Sequence, residues 1–218
     1  MRRNWQRAAG LAGLVLAIGF AQAPAWQLGT RSADEWIKRL DRPERVASLK
    51  IEEILAKLQL QRGDVVADIG AGAGVFSVPL AKTVSPGGKV YAVEIDQALL
   101  DYINRKVIEQ NVKNVVTILG RFEDPNLPAT DVDLAFFHDV LHHIKDRAGY
   151  LKKLAGYLKP SARIAMIELD PKKGGHKDDP EMQVTKDQVT AWMADSGFKP
   201  VAEFDMFDDK WFTVYARR

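Results

Sequence analysis

The sequence predicts an open α/β fold with a seven-stranded, mostly parallel sheet, helices on both faces and an antiparallel C-terminal hairpin. Short apolar runs alternate with amphipathic segments from Val65 to Leu169, a pattern typical of parallel strands joined by right-handed crossovers. The first run ends in a glycine-rich turn. The last two runs flank the turn DDK, which indicates a hairpin at one edge of the sheet.

Two helices are predicted ahead of the sheet. The stretch SADE, Ser32–Glu35, is a capping-box pattern, and Pro43 is expected to end the helix that it opens. The second helix is predicted from an apolar stripe at i, i+3, i+4 and i+7, formed by Ile51, Ile54, Leu55 and Leu58. We therefore predict an N-terminal helical cap over residues 26–60 and a single main domain over residues 61–218.

Strands and helices then alternate along the main domain. The predicted strands are 65–70, 90–95, 115–119, 132–137, 163–169, 199–207 and 211–218. The predicted helices are 75–81, 96–111, 148–158 and 185–197. The polar segment 170–182, DPKKGGHKDDPEM, is predicted to be a surface loop.

Composition limits the classes of partner. The chain has no cysteine, which excludes disulfides, thiolate metal sites and cysteine nucleophiles. The net charge of +2 comes from Arg2, Arg3 and Arg7, and the other 28 basic residues nearly balance the 29 acidic ones. A body so close to neutral lacks the basic surface that binds a phosphate backbone, so no nucleic-acid partner is expected.

The first 25 residues have the pattern of a leader. MRRNWQR is followed by the apolar run AAGLAGLVLAIGF and by small residues that fit a cleavage site. We predict that residues 1–25 are a signal peptide or an uncleaved membrane anchor, so membrane association through this segment is also considered. The expected location is exported, periplasmic or anchored in the inner membrane, and a cytoplasmic location remains the alternative.

The glycine-rich turn follows the first predicted strand in VVADIGAGAGVFSVPLA. A dinucleotide-binding turn needs G-x-G-x-x-G, but Val75 stands where the third glycine would be. The turn also lacks the lysine and the serine or threonine of a P-loop. The glycines could simply relieve crowding at a strand-to-helix turn.

Two acidic residues favour a ligand at this turn. Asp68 ends the first strand, and Glu94 ends the second strand, where a carboxylate can accept both hydroxyls of a ribose. Ile95 beside it offers an apolar face to an adenine ring. Together these residues predict a pocket for a nucleoside without a diphosphate.

The same segments resemble a known family. VVADIGAGAGVFSVPLA, VYAVEID and DVDLAFFHDVLHHIKD are similar to successive signature segments of the class I S-adenosylmethionine-dependent methyltransferases. The resemblance covers residues 42–218 and is strongest to small bacterial enzymes that act on small molecules, including the quinone C-methyltransferase type. It implies a Rossmann-like fold, S-adenosyl-L-methionine as cofactor and a small-molecule methyl acceptor.

The resemblance also implies roles for individual residues. The methionine half of the cofactor is expected along the glycine turn, and the nucleoside half beyond it. Arg121 stands where many relatives have an acid that binds the adenine amino group, so Glu123 or a backbone carbonyl is expected to replace that acid. The expected cofactor-binding residues are Asp68, Gly70, Ala71, Gly72, Gly74, Glu94, Ile95, Phe122, Glu123 and His138.

Three histidines cluster after the fourth predicted strand, in HDVLHHIKD. His138, Asp139 and His142 are the predicted catalytic residues, because imidazole exchanges protons near neutral pH. Two other interpretations stay open at this point. His142 and His143 could close the turn structurally, or His138 and His142 could share a metal, although we predict no metal site.

We predict an S-adenosylmethionine-dependent methyltransferase that acts on a small-molecule acceptor. Trp36 and Arg45 are candidate acceptor contacts in the helical cap. One alternative is an exported module that binds the cofactor without catalysis, suggested by the leader. The other is a methyltransferase that acts on a macromolecule.

Overall fold

The computed structural model describes residues 31–173, 176 and 178–218. The predicted leader, residues 1–25, lies outside the described residues, so its function in export or anchoring stays a prediction. Within the described residues, no helix is both long enough and apolar enough to cross a bilayer.

Helices and strands alternate as the sequence predicts. The α-helices are α1 (Ala33–Leu40), α2 (Pro43–Ser48), α3 (Ile51–Leu58), α4 (Ser77–Val84), α5 (Gln97–Glu109), α6 (Arg147–Ala155) and α7 (Lys186–Asp195). The strands are β1 (Val65–Ile69), β2 (Lys89–Glu94), β3 (Val115–Leu119), β4 (Val132–His138), β5 (Leu158–Leu169), β6 (Phe198–Phe204) and β7 (Lys210–Arg217). Short 3₁₀ turns occur at Leu141–His143, Pro171–Lys173 and Pro180–Met182.

The seven strands form one sheet in the order β3-β2-β1-β4-β5-β7-β6. Strands β1 to β5 are parallel, while β7 runs antiparallel between β5 and β6. The predicted fold class is therefore confirmed, including the hairpin at one edge. The strand order reverses between β1 and β4, and ligands of open α/β sheets bind at such a switch point, beyond the carboxyl ends of the strands.

Both faces of the sheet are covered, which explains why β1 is buried along its whole length. Helices α3, α4 and α5 pack on one face, through residues such as Ile54, Leu80 and Ile103. Helices α6 and α7 pack on the other face, through residues such as Leu151 and Met193. Continuous burial of this kind is what parallel strands require, and it explains their nearly unbroken apolar sequences.

Two predicted boundaries are wrong. Helix α1 ends at Leu40, toward which the sequence predicts it to run, but Pro43 begins α2 instead of ending α1. Proline is well suited to the first position of a helix, because its missing N–H has no partner there in any case. The helix predicted to reach Leu158 ends at Ala155, because Leu158 pairs with Val132 at the start of a longer β5.

Candidate active site

A cavity of about 510 Å³ opens at the carboxyl ends of the central parallel strands. It is bordered by the glycine turn, the end of β2, the cap helix α1 and the turn after β4. Most of the predicted site residues line it, namely Asp68, Gly70, Ala71, Gly72, Glu94, Ile95, Phe122, His138, Asp139 and His142.

Two of the predicted cofactor residues, Gly74 and Glu123, are not among the residues that line this cavity. Gly74 faces α5, where an added Cβ would lie 3.0 Å from Cγ1 of Ile103. The Glu123 side chain is 78% exposed and lies 4.0 Å from the ammonium of Lys153. Arg121, whose type departs from the family pattern, does line the cavity.

Gly70 and Gly72 allow the glycine turn to approach its neighbours closely. Their φ angles are +66° and +55°, in a region that other residues rarely adopt. A Cβ on Gly70 would lie 2.5 Å from Val140, and one on Gly72 would lie 2.9 Å from Leu40 of α1. The two glycines therefore allow the turn after β4 and the cap helix to pack directly against the glycine turn.

Asp68 is a buried carboxyl group at the end of β1. It accepts a hydrogen bond of 2.6 Å from the hydroxyl of Ser77, the first residue of α4. The pKa of Asp68 is raised to about 7, mainly by burial and also by the nearby Glu94, against the opposing effect of the Ser77 hydrogen bond. A cation bound beside Asp68 would favour its ionised form.

Glu94 is fixed at the end of β2 by two backbone amides. The N–H of Gly72 donates to its Oε2 over 2.9 Å, and the N–H of Ile95 donates to its Oε1 over 2.7 Å. Burial raises the pKa of this carboxyl group, whereas the amide hydrogen bonds lower it. A carboxylate has about four acceptor sites, so each oxygen can still accept a hydrogen bond from a ligand in the cavity.

The turn after β4 holds two predicted catalytic residues in fixed contacts. The Asp139 carboxylate is paired with the ammonium of Lys210 on β7, at 2.6 and 2.7 Å. His138 lies 3.4 Å from Asp139, and its ring packs 4.9 Å from that of Phe76. Burial lowers the pKa of His138, so its imidazole is neutral near pH 7.

Sequence reasoning missed Glu168, the partner of His142. Glu168 lies near the end of β5 and is fully buried, and its Oε1 is 2.6 Å from Nδ1 of His142. It also accepts the backbone N–H groups of His142 and Leu169, over 3.3 and 3.0 Å. The only sequence signal was an acidic residue at the end of an apolar strand, in the position that Glu94 holds in β2.

The segment after β5 was predicted to be a surface loop, and this is wrong for part of it. His176, Asp179 and Met182 line the cavity, and the His176 ring lies 4.7 Å from that of His142. The His143 ring lies 4.1 Å from His142 on another side. Burial, together with the neighbouring histidines, lowers the pKa of His143 to about 3. In the parts of the chain that the structure describes, no three His, Asp or Glu side chains are arranged to hold a metal ion.

The cap helix α1 closes the opposite side of the cavity. Asp41, just after α1, accepts hydrogen bonds from Tyr102 and Lys106 of α5 at 2.6 and 2.8 Å, which attaches the cap to the main domain. Trp36 and Arg45, the predicted acceptor contacts, both line the cavity. The Arg45 guanidinium is held by the carbonyl of Leu40 at 2.9 Å.

Comparisons with known proteins agree on one family. A family model described as a methyltransferase domain matches residues 60–199. The demethylmenaquinone methyltransferase of Lactobacillus johnsonii is 29% identical over 119 residues, which cover 54% of this chain and 48% of that protein. The chain therefore aligns with about half the length of this relative.

Solved structures show the same fold. A SAM-dependent methyltransferase from Aquifex aeolicus is 26% identical, with a TM-score of 0.77, over 86% of this chain and all of that one. The magnesium protoporphyrin IX methyltransferase of Synechocystis, solved with bound SAH, is 19% identical, with a TM-score of 0.63, over 89% of this chain and 92% of that one. The second likeness is one of fold alone.

Proposed function

The chain belongs to the methyltransferase domain family, and from this premise we propose that it transfers the methyl group of S-adenosyl-L-methionine to a small-molecule acceptor. The observation that carries the proposal is the Glu94 carboxylate, which two amides hold at the edge of the cavity beside the glycine turn. This arrangement suits a ribose better than a phosphate, because a carboxylate repels anions and accepts hydroxyl protons.

The nucleoside half of the cofactor is assigned to the region around Glu94. In this proposal the remaining acceptor sites of the carboxylate bind the two ribose hydroxyls, and the adenine packs on Ile95. The backbone N–H of Phe122 is assigned to a ring nitrogen of the adenine. These assignments are supported by the fact that Glu94, Ile95 and Phe122 line one cavity.

The methionine half is assigned to the glycine turn. Gly70, Ala71 and Gly72 line the cavity and have no side chain larger than a methyl group, so a ligand in the cavity can contact their backbone. The amino group and the sulfonium of the cofactor are both cationic, and Asp68 is the buried carboxyl group of this turn. When bound, the cofactor supplies a methyl group that is already activated, so the protein mainly positions the acceptor and excludes water.

The acceptor is assigned to the part of the cavity between the cap and the turn after β4. Trp36 and Met182 provide apolar surface there, while Arg45 provides a cation. A cavity of this size suits a small molecule, and the near-neutral charge of the chain argues against nucleic acid. The relatives named as demethylmenaquinone methyltransferases support a small-molecule acceptor as well.

His138 and Asp139 have supporting roles in this proposal. Lys210 neutralises the Asp139 carboxylate, which makes it a poor proton acceptor. The neutral His138 ring packs on Phe76 and forms part of the cavity wall next to the glycine turn. Both residues therefore shape the region in which the methyl group is expected.

The test is transfer of label from methyl-labelled S-adenosyl-L-methionine into small molecules of a protein-free cell extract, followed by mass spectrometry of the products. We expect labelled product with the unaltered protein and little with Glu94→Ala. Cofactor binding without any transfer would support the alternative of a binding module. Label found in protein or nucleic acid, when these are supplied separately, would support a macromolecular acceptor.

A further inference from the structure

The geometry points to His142 as a general base that Glu168 positions, and to an acceptor whose reacting oxygen is an aromatic or enolic hydroxyl. This inference rests on the proposed methyl transfer and specifies the chemistry of the acceptor half of the site. It is drawn from the contacts of Glu168 and from the position of His142 at the cavity wall.

The Glu168 carboxylate is fixed in one orientation. Its Oε1 accepts the N–H of Leu169, and its Oε2 accepts the N–H of His142. Both the Glu168 and the His142 side chains are almost completely buried, with 1% and 4% exposed. A buried carboxylate held by two amides cannot easily turn away from the imidazole, 2.6 Å from it.

This contact determines which nitrogen of His142 carries the proton. An ionised carboxylate can only accept hydrogen bonds, so Nδ1 of His142 must be the donor. The neutral ring then has its lone pair on Nε2, and that nitrogen can accept a proton. A carboxylate that fixes the imidazole in this way also stabilises the imidazolium that forms.

Four of the other titratable groups around His142 are poor competitors for the proton. The low pKa of His143, about 3, means that this residue stays neutral near pH 7, and burial lowers the pKa of His176 as well. Asp139 is already paired with Lys210. Arg147 donates to the His142 carbonyl over 3.0 Å and is itself a cation. Asp179, on the segment after β5, also lines the cavity.

The proposed reaction is a single displacement at the methyl carbon, with transfer of one proton. The lone pair of the acceptor oxygen forms a bond to the methyl carbon while the bond from that carbon to sulfur breaks. The electron pair of the broken bond stays on sulfur, which changes from a cationic sulfonium to a neutral thioether. The hydroxyl proton moves to Nε2 of His142, and the products are the methyl ether, S-adenosyl-L-homocysteine and an imidazolium paired with Glu168.

The acceptor class follows from this proton transfer. A thioether or a tertiary amine has no proton to lose, so a buried base would serve no purpose for such acceptors. Aliphatic hydroxyls are too weakly acidic for an imidazole, whereas phenols and enols are within its range. Trp36, Val140 and Met182 all line the cavity and offer apolar surface to an aromatic ring.

The first experiment needs no acceptor. Nitrogen-15 NMR of the histidine rings, with His142 assigned through the His142→Gln variant, reports which nitrogen carries the proton. We expect the Nδ1–H form of His142 in the unaltered protein at a pH where the ring is neutral. The Nε2–H form would overturn the assignment of the base.

The second experiment uses 4-nitrophenol, whose absorption reports ionisation, added to the protein saturated with S-adenosyl-L-homocysteine. At a pH below the pKa of the free probe, we expect the bound probe to be ionised with the unaltered protein and with Glu203→Gln. Glu203 is an exposed carboxylate on β6, paired with Lys186 and outside the cavity, so its variant controls for loss of a charge. We expect much less ionisation with Glu168→Gln and none with His142→Gln.

The outcomes separate this inference from the proposed function. If the probe does not bind, or is ionised equally in all four proteins, the assignment of His142 as the base and the proposed acceptor class are both wrong. Unchanged affinity of the variants for S-adenosyl-L-homocysteine, measured by calorimetry, would show that the cofactor site is intact in them. Failure of the unaltered protein to bind that compound would instead contradict the proposed function itself.

Discussion

Two glutamates, one that lines the cavity and one buried behind its wall, are held in nearly the same way. Glu94 at the end of β2 accepts the N–H of the next residue and an N–H of the turn after β1. Glu168 at the end of β5 accepts the N–H of the next residue and an N–H of the turn after β4. In both cases the carboxylate joins the end of one strand to the turn that follows its neighbour in the sheet.

The two glutamates differ in what occupies their remaining acceptor sites. Glu94 lines the cavity, so a ligand can reach it. Glu168 does not line the cavity, and its Oε1 is 2.6 Å from Nδ1 of His142, which does line it. In the proposed function, the same backbone arrangement therefore serves as a direct cofactor contact at Glu94 and positions a base, His142, at Glu168.

The largest effect is expected from His142→Gln, which removes the imidazole that Glu168 contacts. His142→Gln is expected to lower kcat for a hydroxyl acceptor by about 10² to 10⁴-fold, the usual contribution of a general base. Because Glu168 acts through His142, the double variant with Glu168→Gln should lose little more than His142→Gln alone. Steady-state kinetics at saturating cofactor would measure this, and additive losses would show that the two residues act independently.

A smaller effect is expected on the Glu94 side. Glu94→Gln replaces one acceptor oxygen with an amide that faces the N–H of either Gly72 or Ile95, so it should weaken cofactor binding by about 1 to 3 kcal/mol, roughly 5 to 150-fold. Calorimetric titration with S-adenosyl-L-methionine measures this change. The matched control is Glu168→Gln, for which we expect the affinity of the unaltered protein; a comparable loss in both variants would argue against separate roles.

The dependence of cofactor affinity on pH should report the ionisation of the Asp68 carboxyl group. With its pKa raised to about 7, this carboxyl group is protonated below that pH in the free protein. A cationic ligand beside it favours the ionised form, so binding releases a proton, and affinity should rise by up to about tenfold per pH unit below about pH 7. Asp68→Asn should remove this dependence, and a slope that persists in the variant would assign it to another group.

The stability of the free protein should change in the opposite direction. At pH values between the ordinary pKa of an aspartate and about 7, the folded protein holds a proton on Asp68 that the unfolded chain has lost. The contribution of this group to stability therefore falls as the pH rises through that window. Melting temperatures measured across it should decline less in Asp68→Asn than in the unaltered protein.

The smallest expected effect belongs to a carboxylate outside both halves. Glu203 on β6 forms an exposed ion pair with Lys186 at 2.8 Å, and such pairs contribute about 0 to 1 kcal/mol to stability. Glu203→Gln should leave cofactor affinity and turnover unchanged. A large loss in either quantity would mean that carboxylates matter here through overall charge and not through their position.

The sequence predicted the residues near Glu94 better than the residues near His142, for a physical reason. The glycine turn, Asp68 and Glu94 lie at the ends of the first two strands, and parallel strands necessarily bring their carboxyl ends to one edge. The contact between His142 and Glu168 joins residues that are 26 positions apart and depends on the register between β4 and β5. That register is set by tertiary packing, so it cannot be predicted from a local sequence pattern.

Another prediction was wrong because polar composition was taken to indicate a position on the surface. The segment 170–182 is rich in charge and glycine, which predicted a surface loop, yet His176 and Met182 border the cavity. A cavity wall in contact with solvent can have the same composition as a surface loop. Glu123 shows the reverse, since it was expected to replace the acid that relatives have at Arg121, but its side chain is exposed.

The central claim is that the turn after β1 and the Glu94 carboxylate bind S-adenosyl-L-methionine. Its most direct test is calorimetric titration of the purified protein with S-adenosyl-L-methionine and, separately, with nicotinamide adenine dinucleotide. We predict saturable binding of the first compound at one site, weakened by Glu94→Gln, and no detectable heat from the second. Binding of the dinucleotide with no response to S-adenosyl-L-methionine would contradict the account.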